Sequence, residues 1–356
     1  MATVTIAYRR PSRYADGRLE LQTTGGVADG SAARHPLLFA GMATAPGPVA
    51  AGLAVLGAVA AADFRHAGGS GLGGPGLGGP ETVAGHADPI ITSGGGRLRG
   101  EALSACSGVH ARLDLLPAAL DGETYAVGTT SVDLHPGLAA ALARTAGSGP
   151  LHLSVGPDAL AARPASVHEN AGERTLHLSE RWLTALTGAA STAAALSPLA
   201  DLDAATAAAL LHRLAAHGGR DVRWLLPAGR SLRTAAGPSA GAICLAGAIR
   251  LAVLRPVLPM LRGLRLYGPP AVPGSAALPT GWELDLGPVR LSLLFSPGLD
   301  RAVADGPHQP HTLVAGHHGL KVQHERAYDW AEDVWYRRDL PYRTHPRSFR
   351  HESGPA

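Results

Sequence analysis

Cys106 and His110 stand four residues apart, and Arg112 and Asp114 follow at alternate positions. A thiol within reach of an imidazole can ionise to a nucleophilic thiolate, and a carboxylate beyond the ring can orient it. A pocket enclosing Cys106, His110, Arg112 and Asp114 would make the chain an enzyme of specialised metabolism. The spacing also supports a plainer reading. Val109, Ala111, Leu113 and Leu115 alternate with the three polar residues, which is the period of a strand. His110, Arg112 and Asp114 then share one face, and Cys106 sits at the strand's start as a small buried hydrophobe. Cys244, inside the apolar run 242–245, is core by the same argument.

Other motifs carry less. Gly237-Pro238-Ser239-Ala240-Gly241 matches G-x-S-x-G, but a nucleophile elbow needs a strand before the serine and a helix after it. Here a strand follows, so the motif is a turn; Asp285 or Asp300 with His308 or His311 are only nominal triad partners. Gly71, Gly73 and Gly76 spell a G-x-G-x-x-G inside a glycine-rich loop at 68–80. A helix precedes that loop and Pro80 follows it, the reverse of a dinucleotide site. His308, His311, His317, His318 and His324 form a cluster that could hold zinc, copper or nickel weakly. With Gly316 and Gly319 among them and no cysteine nearby, a solvated loop is the simpler reading. At the C-terminal end Arg337, Arg338, Arg343, Arg347 and Arg350 interleave with Tyr336, Tyr342 and Phe349. That pattern suits a partner-binding segment for an acidic protein or for phosphates, and a solvated tail is the plainer reading. No cofactor site is read.

These residues must be positioned by a sizeable fold, since 356 residues allow two or three domains. The chain is 46% hydrophobic but only 4% aromatic, so its core must be built from Ala, Leu and Val. Net charge is +3, and the basic residues are scattered, so charge alone does not declare a nucleic-acid protein. Two separated cysteines make no disulfide framework and point to a reducing cytoplasm. No secretory h-region follows the N-terminus. The most apolar run, 49–62, is too short for a bilayer and is read as a core helix.

Organisation along the chain is repetitive. An N-terminal part, 1–80, holds a strand at 4–8, the Ala-rich helix and the glycine loop. A first α+β unit spans 81–187: a strand at 129–134, a helix opened by Pro136, then strands at 151–155, 160–163 and 175–178. A second unit within 188–300 runs from a helix beginning at Asp203 to strands at 222–226, 232–234 and 242–245. A third has a helix over 249–258, interrupted by Pro256 and Pro259, and strands at 264–267, 282–286 and 289–295. Residues 301–356 form the His-rich loop, a helix over 325–337 and the Arg-rich tail. The predicted class is α+β, made of repeated helix-plus-antiparallel-strand units with a small helical C-terminal segment. In element order these units look like those of the DNA sliding-clamp fold.

A family resemblance covers most of the chain. DPIITSGGGRLR from Asp88, SACSGVHARLDLLP from Ser104, LDGE at 120–123 and GTTSVDL at 128–134 resemble the N-terminal region of actinobacterial SWIM zinc-finger family proteins. PLHLSVGPDAL, ERWL, LLPAGRSLR, GAICLAG, LYGPP, WELDL and AYDWAEDVWYRRDLPY continue it in order. Two features depart from that pattern. A winged-helix-like segment is expected before the R-x-LPY motif, where this chain has its His-rich stretch. The finger itself, a Cys-x-Cys and a later Cys-x-His pair, is expected after LPY, and no cysteine follows Cys244. No zinc ligand carries over. With no convincing catalytic constellation beside it, the resemblance implies a non-catalytic binding or adaptor scaffold with a protein partner or weak nucleic-acid contacts; the cysteines make it cytoplasmic and the short apolar run excludes membrane association.

Overall fold

The computed structural model describes most of residues 2–296; residues 65–87, 158–172, 179–184, 218–221 and 297–356, with a few shorter gaps, lie outside the described residues. The glycine-rich loop, the strand expected at 160–163, the histidine cluster, the helix at 325–337 and the Arg-rich tail all fall in those gaps.

The main elements are, in chain order, β1 (Ala2–Ala7), β2 (Arg13–Ala15), β3 (Arg18–Leu21), β4 (Thr23–Ala28), β5 (Ser31–Arg34), β6 (Phe39–Ala43) and α1 (Pro46–Ala61). Then come β7 (Ile90–Gly94), β8 (Arg97–Leu103), β9 (Val109–Leu115), β10 (Leu120–Thr124), β11 (Gly128–Val132), α2 (Pro136–Thr145), β12 (Leu151–Val155) and β13 (Glu173–Leu178). The last group is β14 (Ser197–Asp203), α3 (Ala204–His217), β15 (Val222–Ala228), β16 (Ser231–Ala235), β17 (Ile243–Ala246), a 3₁₀ helix (Ala248–Met260), β18 (Gly263–Gly268), β19 (Thr280–Asp285) and β20 (Val289–Phe295).

The chain is an α+β protein of repeated helix-plus-strand units. Ten strands form one sheet in the order β14-β18-β19-β20-β9-β8-β7-β11-β4-β5. Its middle is two matched blocks joined where β9 pairs antiparallel with β20. In one block the meander β7-β8-β9 follows α1; in the other β18-β19-β20 follows the 3₁₀ helix. Each block is bordered by a strand that leads into a helix, β11 into α2 and β14 into α3. α2, α1, the 3₁₀ helix and α3 pack side by side in that order over one face of the sheet.

The residues explain the layer. α1 is apolar all round and buried nearly all round, as a helix lodged between neighbours must be. It approaches β8 and β9 closely because it has glycine at the contact: a methyl at Gly52 would overlap Leu113, and one at Gly100 would overlap Leu56. The 248–260 segment adopts 3₁₀ rather than α geometry, with Pro256 and Pro259 inside it. Each proline removes an N–H donor and clashes with the preceding turn of an α-helix.

Two pairings differ from the sequence expectation. The strand at 151–155 does not close a sheet with the one at 175–178. β12 pairs antiparallel with β6 and parallel with β3, inside a five-stranded sheet ordered β10-β6-β12-β3-β2. β13 pairs instead with β1. Strand pattern fixes which face is buried but not which strand lies alongside. Likewise α1, grouped by sequence with the N-terminal part, packs on β8 and β9. The second and third units appear as expected: β15 takes β16 and β17 on its two sides, and β18-β19-β20 is a meander.

Candidate functional site

β9 does alternate. Leu113 faces α1, while His110, Arg112 and Asp114 project from the opposite face of the sheet. That face is buried as well: Arg99 is 2% exposed, Asp114 4% and Arg290 7%. Burial on both faces is the feature that alternation concealed.

The register turns this face into a charged ladder. Arg99 on β8 lies opposite Asp114 on β9, which lies opposite Arg290 on β20. Arg99 Nε donates to Asp114 Oδ1 at 2.6 Å, and Arg112 Nε donates to Oδ2 of the same carboxylate at 2.8 Å. Arg290 Nη1 donates to Glu283 Oε1 at 3.0 Å. Across β14 and β18, Arg265 Nε meets Asp201 Oδ2 at 2.8 Å at the exposed margin. His110 Nε2 lies 3.2 Å from Glu101 Oε1. Burial alone would raise the pKa of Asp114, but the charges and hydrogen bonds of Arg112 and Arg99 outweigh it and hold the carboxyl below its usual value. Burial dominates at Glu283 and pushes its carboxyl up, against the pull of Arg290, Arg265 and Arg112.

This geometry separates the four residues of the thiolate reading. Arg112 and Asp114 are brought together, and His110 is turned to Glu101. Cys106 is on the β8–β9 turn, its Sγ 3.3 Å from Ser104 Oγ. Ser104 Oγ accepts from the Val109 amide at 3.0 Å, and Ser107 takes a left-handed φ of 55°. Arg250 of the 3₁₀ helix clamps this turn, donating through Nη1 to the carbonyls of Gly108 at 3.0 Å and Ser296 at 3.3 Å. Cys244 is core, as read, and burial raises its thiol pKa. The G-x-S-x-G sequence is a turn between β16 and β17: Ala242 N donates to Ser239 O, and Gly241 has φ of 73°. Asp285 caps the β19–β20 turn by accepting from the Gly287 amide at 2.8 Å.

A different set of cations lies on the other side of the sheet. The four helices carry Arg144, Arg213, Arg250, Arg255 and His212, and no aspartate or glutamate. Arg144, His212, Arg213 and Arg255 are exposed. Arg213 reaches back to donate to Leu232 O at 2.7 Å. Between α3 and the 3₁₀ helix is a half-open groove of about 420 Å³, lined by His212, Ala215, Arg255, Leu258 and Pro259. Its floor is apolar, and His212 and Arg255 lie at its rim. Sequence reading missed this surface because its members are spread over more than a hundred residues. The available signal was the absence of acids from these four helices. Among the described residues, no group of three or more His, Cys, Asp or Glu could hold a metal ion, and no helix is long and apolar enough to cross a membrane.

No family model matches the sequence, and no curated protein matches it. Among solved structures the chain is similar to the proliferating cellular nuclear antigen of Entamoeba histolytica, with a TM-score of 0.39 and 9% identity, over 74% of this chain and 99% of that one.

Proposed function

We propose that the protein is a non-catalytic cytoplasmic binding scaffold whose helix layer receives the phosphate backbone of a nucleic acid. One observation carries the reading: the charged residues within the four packed helices are all basic, while the buried acids Asp114 and Glu283 of the adjoining sheet are held by its own arginines. A surface whose helices carry cations and no acids within them attracts a polyanion without specifying sequence. The resemblance to SWIM zinc-finger proteins belongs to the same proposal, as a scaffold whose contacts come from its helices. The residues around Cys106 give weaker support to an enzyme, because Arg112 and Asp114 hold one another and His110 faces Glu101.

The test is retention of the full chain on double- and single-stranded nucleic acid across a salt series. Each phosphate contact adds about −0.9 to the slope of log affinity against log salt on duplex DNA. An Arg144→Glu, Arg255→Glu double variant should bind at least about tenfold more weakly, with a slope shallower by about 2. Retention that ignores salt, or that survives both reversals, overturns the proposal.

A further inference from the structure

The cations of the helix layer are not equally engaged. Arg250 is committed to the carbonyls of Gly108 and Ser296, and Arg213 to that of Leu232. Among the described residues, the side chains of His212 and Arg255 make no hydrogen bond or ion pair, and both line the groove between α3 and the 3₁₀ helix. Helix geometry sets them there. A 3₁₀ helix has three residues per turn, so side chains three apart eclipse one another. Leu251, Leu254 and Val257 form the buried column of this helix. Arg255 and Leu258 stack in the next column. On α3, His212 and Ala215 are three apart and share a face. Each wall of the groove thus pairs one cation with one apolar side chain, and Pro259 extends the floor. No aspartate or glutamate lines it, and its volume is about 420 Å³. Ligand sites run from roughly 300 to 1,000 Å³, so the groove holds one small molecule or one unit of a polymer.

We propose that this groove seats a single nucleoside monophosphate, its phosphate taken by Arg255 and His212 and one face of its base laid on Ala215, Leu258 and Pro259. A guanidinium pairs with phosphate oxygens through two parallel N–H bonds, and the imidazole supplies a further donor. Every base has an apolar π-face for such a floor. A simple sugar phosphate would instead bring hydroxyls against Ala, Leu and Pro side chains that cannot bond them, which costs free energy. The proposal rests on the reading of the helix layer as a phosphate-binding face and narrows one part of that face to a seat of unit size. The nucleotide is either free or the terminal unit of a strand, and the chemistry at the groove is the same for both.

Isothermal titration calorimetry of the full chain with adenosine monophosphate tests the proposal. Arg255→Gln and His212→Asn should each weaken binding about tenfold, the effect of losing a charge-assisted hydrogen bond. Arg233→Gln removes the same charge at an exposed position of β16 and should leave the affinity unchanged. Adenosine without phosphate, and inorganic phosphate without a base, should each bind at least about tenfold more weakly than the nucleotide. All three substituted residues are exposed, and a thermal melt identifies any variant that fails to fold. No binding of the nucleotide, equal affinity for adenosine, or an equal loss in Arg233→Gln overturns the proposal. Competition then assigns the source of the bound nucleotide. Displacement by a 5′-phosphorylated oligonucleotide and not by its 5′-hydroxyl counterpart makes the ligand a strand end; displacement by neither makes it a free nucleotide. Absent nucleotide binding beside salt-dependent retention on nucleic acid overturns the seat alone. Nucleotide binding beside no such retention overturns the layer-wide reading and leaves the groove.

Discussion

Arg99, Arg112 and Arg290 lie on one face of the ten-stranded sheet; Arg144 and Arg255 lie on the helices that cover the other. The first three are buried, and each has a carboxylate on the same or a neighbouring strand within 3.0 Å. The helix arginines are exposed and share their helices with no acid. The same residue type is therefore structural on one face and available on the other. Strand register decides which, because it places Asp114 between Arg99 and Arg290 and leaves nothing equivalent on a helix.

The largest test of this contrast removes the shared carboxylate. Asp114→Ala leaves two buried guanidiniums without the group that accepts from both. Breaking a buried ion pair from one side costs about 3–5 kcal/mol. Urea unfolding followed by circular dichroism should show the midpoint fall accordingly. A loss below about 1 kcal/mol would mean that the ladder is far better solvated than its burial implies.

A smaller effect comes from pH, and the two buried carboxylates act in opposite directions. Asp114 has a depressed folded pKa, so its stabilisation is present above the ordinary value of 3.8 and is lost as pH falls through the folded value. Glu283 has a raised folded pKa, so its contribution is complete below its ordinary 4.5 and is lost as pH rises through the folded value. Glu283→Gln should therefore remove a decline in stability on the neutral side of pH 4.5 and leave the acid-side loss intact. Urea midpoints between about pH 3 and 8 read both arms. An unchanged profile in Glu283→Gln would show that the Arg290 pair already balances the burial of that carboxylate.

How much of this was legible in sequence follows from the same distinction. Local pattern was enough for β9, for Pro136 at the start of α2, and for the meander β18-β19-β20, because each depends on neighbours a few residues away. The pairing of β12 with β3 and β6 was not legible, since every partner lies more than a hundred residues off. The ladder was half legible. Alternation placed His110, Arg112 and Asp114 on one face, but their partners Glu101 and Arg99 belong to β8, and a strand's second burial cannot be seen from its own period. Cys106 and His110 looked like a dyad because four residues is a short distance in sequence. The turn at Ser107 directs one to Ser104 and the strand directs the other to Glu101. The helix surface was invisible as a motif and visible only as a missing residue type.

The smallest expected effect completes the comparison. Arg144→Glu and Arg255→Glu change exposed positions with no carboxylate on their own helices, so each should alter stability by no more than about 0.5 kcal/mol. The sign can even differ between them. Arg144 is in the last turn of α2, where a cation complements the helix dipole, so its reversal should cost a few tenths of a kcal/mol, more than that of Arg255. Measured by the same urea melts, near-neutral stability beside a large loss of nucleic-acid retention would separate binding from folding on one face of the sheet. A loss as large as that of Asp114→Ala would place these arginines in a structural network too, and the distinction between the two faces would collapse.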